Sequence, residues 1–173
     1  MSQYPWLGEV LFNGTYYPST GLPWTFLPVV LAIQMTEPVW ILLIMGIIGI
    51  WLQRSRIESK SLIGLSLGWF LIPVIGLILI QAPVYDNSRQ IFFLLPPIFL
   101  LAGWGLEWAF TKVSQPFFRT LIIAGIALPG LVAGVGLHPY QYIYYNSFVG
   151  GVSGAERRFE LDYWGLAYFE AAQ

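Results

Sequence analysis

The sequence contains no cysteine, and His138 is its single histidine. The lack of cysteine excludes disulfide bonds, thiolate metal ligands and cysteine nucleophiles. One histidine gives no basis for a histidine metal site, which uses several ligands. Nucleotide-binding glycine motifs, a nucleophile elbow and clusters of metal-ligand residues are also missing from the sequence. We therefore predict neither a metal nor a cofactor.

Charge is scarce as well. Charged residues make up 10% of the chain, against about 25% in an ordinary soluble domain. The net charge of −1 argues against nucleic acid as a partner, because neutralising phosphates requires a basic patch. Hydrophobic residues make up 57%. A soluble fold of this composition has few charges for its surface, whereas a lipid-facing protein needs few, so the composition predicts an integral membrane protein in a lipid bilayer.

Four apolar stretches approach the roughly 20 residues that a helix needs to cross a bilayer core. They cover residues 38–52, 62–83, 91–110 and 120–137. A shorter stretch, 22–33, predicts an interfacial or re-entrant helix; the alternative is one long, kinked span over 24–51. The predicted fold is an all-α, polytopic membrane helical bundle of about four transmembrane helices with an interfacial helix. We divide the chain into an extracytoplasmic and interfacial segment (1–37), a four-span membrane domain (38–137) and an extracytoplasmic tail (138–173), which we expect to form a helix and a hairpin.

The basic residues predict the orientation. Five of the eight fall in the loops after the first and third spans: Arg54, Arg56, Lys60, Lys112 and Arg119. Loops that face the cytoplasm carry excess Lys and Arg near the membrane. The chain is thus predicted to be a multi-pass protein of the cell membrane, with both termini and the loop 85–90 extracytoplasmic.

Small residues and prolines within the spans favour a packed bundle over separate anchors. Gly64 and Gly68 are four residues apart, as are Gly130 and Gly134, a spacing that lets helix backbones approach closely. Prolines are expected to kink three of the spans, at positions 73, 96, 97 and 129. The alternative is that Gly and Pro are simply common in membrane helices.

Arg89 is the main candidate for ligand binding, because a guanidinium fits phosphate oxygens. The alternative, which the residues alone favour, is an interface anchor or a partner of Asp86. Asp86 itself is a candidate general base or a group that orients Arg89, with a helix cap as the alternative.

The tail holds further candidates. Glu160 and Asp162 stand beside two aromatic residues, as carboxylates in sugar sites do; the alternative is a structural motif held by those aromatics. His138 suits a cap or an interface, and the tyrosines from Tyr140 onward suit an interfacial aromatic belt. At positions 13–15, Asn-Gly-Thr is either a glycosylation acceptor or a turn.

Three stretches together resemble family 39 glycosyltransferases, the polytopic enzymes related to protein O-mannosyltransferases and lipid A aminoarabinose transferases. Residues 17–28 (YPSTGLPWTFLP) resemble a segment before a late span of that family. Residues 85–97 (YDNSRQIFFLLPP) resemble its outer loop and following span. Residues 138–151 (HPYQYIYYNSFVGG) and 159–165 (FELDYWG) resemble the tail of bacterial members.

The resemblance implies transfer of a sugar from a polyprenyl-phosphate carrier to an extracytoplasmic acceptor, with inversion. It implies a donor-phosphate site at Arg89, Asp86 and Tyr85. The acceptor-side residues that it implies are His138, Tyr140, Glu160 and Asp162.

In the family, an acidic residue in the first extracytoplasmic loop acts as base, and more spans lie upstream than this chain has. We therefore expect the chain to be the C-terminal part of such an enzyme, from a truncated reading frame or a split enzyme. It is expected to be inactive without the N-terminal half, and no residue is assigned as catalytic. The alternative is a non-enzymatic four-span assembly or scaffolding subunit of a membrane complex. An ion transporter is disfavoured, because the spans contain no central charge.

Overall fold

The computed structural model describes residues 8–53 and 60–161, and the fold there is mostly helical. A two-stranded antiparallel sheet comes first, formed by β1 (Glu9–Phe12) and β2 (Thr15–Pro18). Six α-helices follow: α1 (Phe26–Gln34), α2 (Glu37–Gln53), α3 (Lys60–Leu79), α4 (Leu95–Lys112), α5 (Pro116–Gly136) and α6 (Gly151–Ala155). Short 3₁₀ helices cover Arg89–Leu94, Gln141–Ile143 and Ser147–Val149.

Three helical segments of the described chain are long and apolar enough to cross a membrane: α3, the 3₁₀ helix Arg89–Leu94 with α4, and α5. The predicted first span falls in α2, which has 17 residues and qualifies only when it is taken together with α1. The structure therefore offers three candidate spans, or four if α1 and α2 count as one.

The junction between α1 and α2 is a sharp bend of 114°. Met35 is extended there (φ −109°, ψ 152°), which ends α1 after nine residues. Gln34, Thr36 and Pro38 interrupt the apolar run at this point. Residues 24–51 therefore do not form one continuous kinked helix; they form two helices, as a broken span or a re-entrant loop does.

Helix α4 packs most extensively against α2, and glycine allows the approach. A Cβ atom on Gly105 would overlap the carbonyl oxygen of Leu42, and one on Gly46 would overlap that of Leu101. The glycines predicted to make such contacts do not make them. No atom lies within 4 Å of an added Cβ on Gly64 or Gly134, Gly68 meets only Ile72 of its own helix, and Gly130 reaches only Thr36, at 3.8 Å.

Two of the expected proline kinks are also wrong. Pro96 and Pro97 lie in the first turn of α4, where the missing N–H has no helical partner to lose. Pro73 and Pro129 do lie inside α3 and α5, and each helix continues past its proline.

The hydrophobic core sits at one end of the molecule, where the β1–β2 hairpin, α1, the 3₁₀ helix Arg89–Leu94 and residues 145–159 meet. The Phe12 ring packs edge-on against Phe26, at 5.3 Å between centroids, and against Phe159, at 5.8 Å. Phe12 and Phe159 also form an isolated β-bridge. Helix α5 lies outside this core and has no buried residue.

The hairpin is absent from the all-α prediction, and its turn is the Asn-Gly pair. Asn13 (φ 49°) and Gly14 (φ 81°) both adopt positive φ, as a two-residue type I′ turn requires. Asn13 Oδ1 accepts a hydrogen bond from Arg158 at 2.8 Å, and Gly14 N donates to Arg158 O at 3.0 Å. The tail does contain the expected helix, α6. The expected tail hairpin does not form within residues 138–161, where the tail pairs with the N-terminal hairpin instead.

Candidate functional site

The loop before α4 has an unusual backbone that fixes Arg89. Asp86 and Asn87 both have φ of 55°, a conformation that Asp and Asn tolerate better than most residues. The turn closes with a hydrogen bond from Arg89 N to Asp86 O at 3.2 Å. It brings Arg89 Nη1 within 3.2 Å of Asp86 Oδ2, while the Arg89 side chain stays 47% exposed. Asp86 thus orients a guanidinium that solvent can still reach.

Asn87 turns inward from the same loop and joins it to the tail. Its Nδ2 donates to the backbone oxygen of Glu160 at 2.8 Å. The Tyr145 hydroxyl lies within hydrogen-bond distance of the same oxygen, at 2.7 Å, and of Asn87 Oδ1, at 3.2 Å. Asn87 and Tyr145 are both buried. We call Asp86, Asn87, Arg89, Tyr145 and Glu160 the polar junction.

The Glu160 carboxyl occupies a constrained position in this junction. Its Oε2 atom is buried and has no hydrogen-bond partner in the part of the chain that the structure describes. Burial, and then the nearby Asp86 carboxylate, raise the pKa of Glu160 to about 7, although the backbone of Leu11 and of Asp86 donates hydrogen bonds that lower it. This carboxyl can therefore hold or release a proton near neutral pH.

Asn146 fastens the tail to the end of α1. Its Nδ2 donates to the carbonyl oxygens of Ala32, at 2.7 Å, and Met35, at 2.8 Å, and its N–H donates to Ile33 O at 2.9 Å. These carbonyls lie where the helix ends and lack helical partners. Ser147 N donates to Glu37 Oε1 at 2.7 Å, which ties the next residue to the start of α2.

An apolar groove of about 260 Å³ lies beside the loop that carries Arg89. Its apolar walls come from α1, α2, the 3₁₀ helix before α4, and α4: Leu31, Val39, Phe92, Leu95 and Phe99. Its polar border is formed by Gln34, Thr36, Ser88 and Tyr144. Gln34 Oε1 accepts a hydrogen bond from Ser88 N at 3.1 Å, which connects α1 to the Arg89 loop across this border.

The structure brings together some of the predicted site residues and separates others. Asp86 and Arg89 form the expected pair, and Tyr85 is half-buried against the core. Glu160, expected on the acceptor side, lies beside Asp86.

The remaining predicted residues lie elsewhere. His138 Nδ1 lies 2.9 Å from Gln141 Nε2, and the ring of Tyr140 packs against Tyr142 at 6.4 Å. Asp162 lies outside the described residues, as do Arg54 and Arg56.

Sequence reasoning did not single out Gln34 or Thr36, and it placed Tyr145 and Asn146 among the polar and aromatic residues of the outer face without a specific role. The available signal was weak: Gln34 and Thr36 interrupt an apolar run, and Tyr145-Asn146 ends the tyrosine cluster. Only the fold shows that these polar residues meet.

Among residues 8–53 and 60–161, no group of three His, Asp or Glu side chains could hold a metal ion. No family model, curated protein or solved structure matches the chain.

Proposed function

We propose that this chain is part of a membrane glycosyltransferase and binds a sugar carried on a polyprenyl phosphate. The observation that carries the proposal is an apolar groove beside the loop that holds a partly exposed guanidinium, that of Arg89. Ser88 lies on the border of the groove, and Arg89 follows it in the chain. A lipid phosphate needs this combination, because its chain requires apolar walls and its anionic group requires a cation.

In this proposal, the polyprenyl chain lies against the apolar walls of the groove and the phosphate meets Arg89. Asp86 holds the guanidinium in place but leaves it partly exposed. The three candidate spans cross the membrane, with the polar junction on the extracytoplasmic side. The resemblance to family 39 supports the same assignment through residues 17–28, 85–97 and 138–151. The full enzyme supplies the catalytic base from outside this chain.

Arg89→Ala tests the phosphate contact. The protein in lipid nanodiscs is titrated with decaprenyl phosphate, and the dissociation constant is measured for the wild type and the variant. We expect affinity to fall by more than about fivefold, which exceeds the roughly 1 kcal/mol of an exposed ion pair. Arg89→Lys should recover part of the loss, because it keeps the charge but not the planar fork.

Arg157→Ala is the matched control. The Arg157 side chain is 92% exposed and lies 3.9 Å from Glu156, and neither Arg157 nor the residues next to it in the chain line the groove. Unchanged affinity in Arg89→Ala, or an equal loss in Arg157→Ala, contradicts the role of Arg89 in the proposed function.

A second candidate function is the assembly or scaffolding subunit, and α5 favours it. This helix has 21 residues, none of them buried, and its apolar side chains have no partner helix along most of its length within the described chain. The same titration separates the two functions. A scaffold should bind decaprenyl phosphate no better than dioleoyl phosphatidic acid, whereas a donor site should prefer the polyprenyl chain.

A further inference from the structure

A second cavity, of about 200 Å³, lies between the α1–α2 bend and the end of α5. It is lined by Thr36, Gly130, Ala133, Gly134, Gln141 and Tyr144, together with the apolar Leu137. We call it the headgroup cavity. Thr36 and Tyr144 also border the apolar groove, so the two spaces adjoin.

The cavity exists because α5 presents small residues here. Gly134 has no atom within 4 Å of the place where a Cβ would be, and at Gly130 the nearest is Thr36 Cγ2, at 3.8 Å. A larger side chain at either position would fill space that is now open. This glycine pair was expected to bring two helices together; in the structure it leaves room beside the α1–α2 bend.

The polar groups around the cavity suit a neutral ligand rich in hydroxyl groups. Within the described chain, the hydroxyls of Thr36 and Tyr144 make no hydrogen bond. Gln141 Nε2 donates to Gly134 O at 3.1 Å and lies 2.9 Å from His138 Nδ1, which holds the amide in place and leaves its oxygen to accept. The face of the Tyr144 ring can pack on C–H groups, because its negative charge density attracts their hydrogens.

The charge of the lining argues against an anion. None of the described residues that line the cavity is basic or acidic. The Glu37 carboxylate, which acts electrostatically on Tyr144, already accepts a hydrogen bond from Ser147 N. A phosphate would find no cation in this cavity, and an alkyl chain would leave the hydroxyls without partners.

We infer that the headgroup cavity is a subsite for one sugar ring, attached to a lipid whose chain lies in the adjoining apolar groove. This inference rests on the proposed function, because the groove must hold a lipid phosphate. It adds that Thr36, Gln141 and Tyr144 recognise the hydroxyls of the sugar, and that Gly130 and Gly134 make room for it.

The experiment compares lipids that differ only in the sugar. Decaprenyl methyl phosphate is the sugar-free reference and carries the same single charge as the glucosyl, mannosyl and arabinosyl phosphodiesters of decaprenol. The protein in nanodiscs is titrated with each lipid. We expect at least one sugar-bearing lipid to bind about tenfold more tightly than the methyl ester, as two additional hydrogen bonds would give.

Gly134→Leu and Gly136→Leu form the decisive pair of variants. Both positions lie on α5 and have open space around an added Cβ, but only Gly134 lines the cavity. Gly134→Leu should abolish the preference for the sugar and leave binding of the methyl ester unchanged, whereas Gly136→Leu should keep the preference. The double variant Thr36→Val with Tyr144→Phe should also abolish it, since it removes both hydroxyls.

The outcomes are distinguishable. If the methyl ester binds and no sugar improves its affinity, or if the preference survives in Gly134→Leu, the subsite is wrong and the proposed function stands. If none of the four lipids binds, the proposed function fails and the subsite fails with it.

Discussion

Glu160 is the residue in the described chain whose ionisation bears most directly on the polar junction. Its pKa of about 7 lies above the ordinary value of 4.5. As pH rises from 4.5, the carboxyl of the detached tail loses its proton first, while the packed tail retains it until the pH passes 7. The contribution of Glu160 to packing is therefore fully present below pH 4.5 and is lost as the pH rises through 7.

This loss of tail packing with rising pH gives a prediction for Glu160→Gln. Between pH 5 and pH 8, hydrogen-exchange protection of the Gly14 and Phe159 amides should fall in the wild type by roughly 1–2 kcal/mol, a value discounted for partial exposure of the carboxyl. Gly14 N donates to Arg158 O, which joins the hairpin to the tail, and Phe159, the residue before Glu160, donates its N–H to Ala155 O. The neutral Gln should remove most of this slope. Glu156→Gln, at an exposed position of the same tail, is the control and should keep it; an equal slope in Glu160→Gln would show that another group is responsible.

At the residue scale, the sequence allowed local pairs to be predicted but not distant ones. Asp86 and Arg89 are three residues apart, so their ion pair could be expected from the loop alone. Asn87 and Glu160 are 73 positions apart, and only the packing of the hairpin against the tail brings them together. No local feature of the sequence could therefore test whether a tail residue such as Glu160 lies on the donor side or the acceptor side of the site.

Among the helices, the tightest crossing is that of α2 and α4. The predicted pairs with four-residue spacing lie on other helices, while Gly46 and Gly105 make the contact. Spacing shows that small residues share a face, but it does not show which face meets a neighbour.

Gly105→Ala should destabilise this crossing by about 1–3 kcal/mol, because a Cβ there overlaps backbone that no side-chain rotation can clear. Gly103→Ala is the matched change on the same helix, with no atom within 4 Å of the added Cβ. It should be neutral or stabilise by up to about 1 kcal/mol through helix propensity. The measurement is the unfolding midpoint in lipid bicelles on titration with sodium dodecyl sulfate. Similar midpoints for the two variants would mean that the α2–α4 crossing is looser than the structure has it.

Long apolar elements were the most predictable part of the fold. The stretches 62–83, 91–110 and 120–137 correspond to α3, α4 and α5 with ends shifted by a few residues. The hairpin was missed because its strands have four residues each, too few for a clear alternating pattern. Its Asn-Gly turn was the available signal, but the same three residues, Asn13-Gly-Thr15, also match a glycosylation acceptor.

At the scale of the whole molecule, the buried core and the apolar surface are separated. The core joins the hairpin, α1, the Arg89 loop and the tail at one end, whereas α2, α3 and α5 expose large apolar side chains. A helix surface of that kind suits lipid. The contacts at the core end hold the N-terminal segment, the Arg89 loop and the tail together, and the loop between α4 and α5 lies at the opposite end of both helices. If the helices cross a bilayer as proposed, we expect the first three to share one side of it.

Single cysteines test this arrangement cleanly, because the chain has none of its own. Thr20→Cys, Ser153→Cys and Ser114→Cys each change an exposed position: one after the hairpin, one in α6 and one between α4 and α5. In intact cells, a membrane-impermeant maleimide should label the first two variants, and it should label Ser114→Cys only after permeabilisation, since the basic residues Lys112 and Arg119 favour the cytoplasm. The unsubstituted chain is the blank. Labelling of Ser114→Cys alone would invert the orientation, and labelling of Thr20→Cys and Ser153→Cys from opposite sides would contradict the packing of the hairpin against the tail.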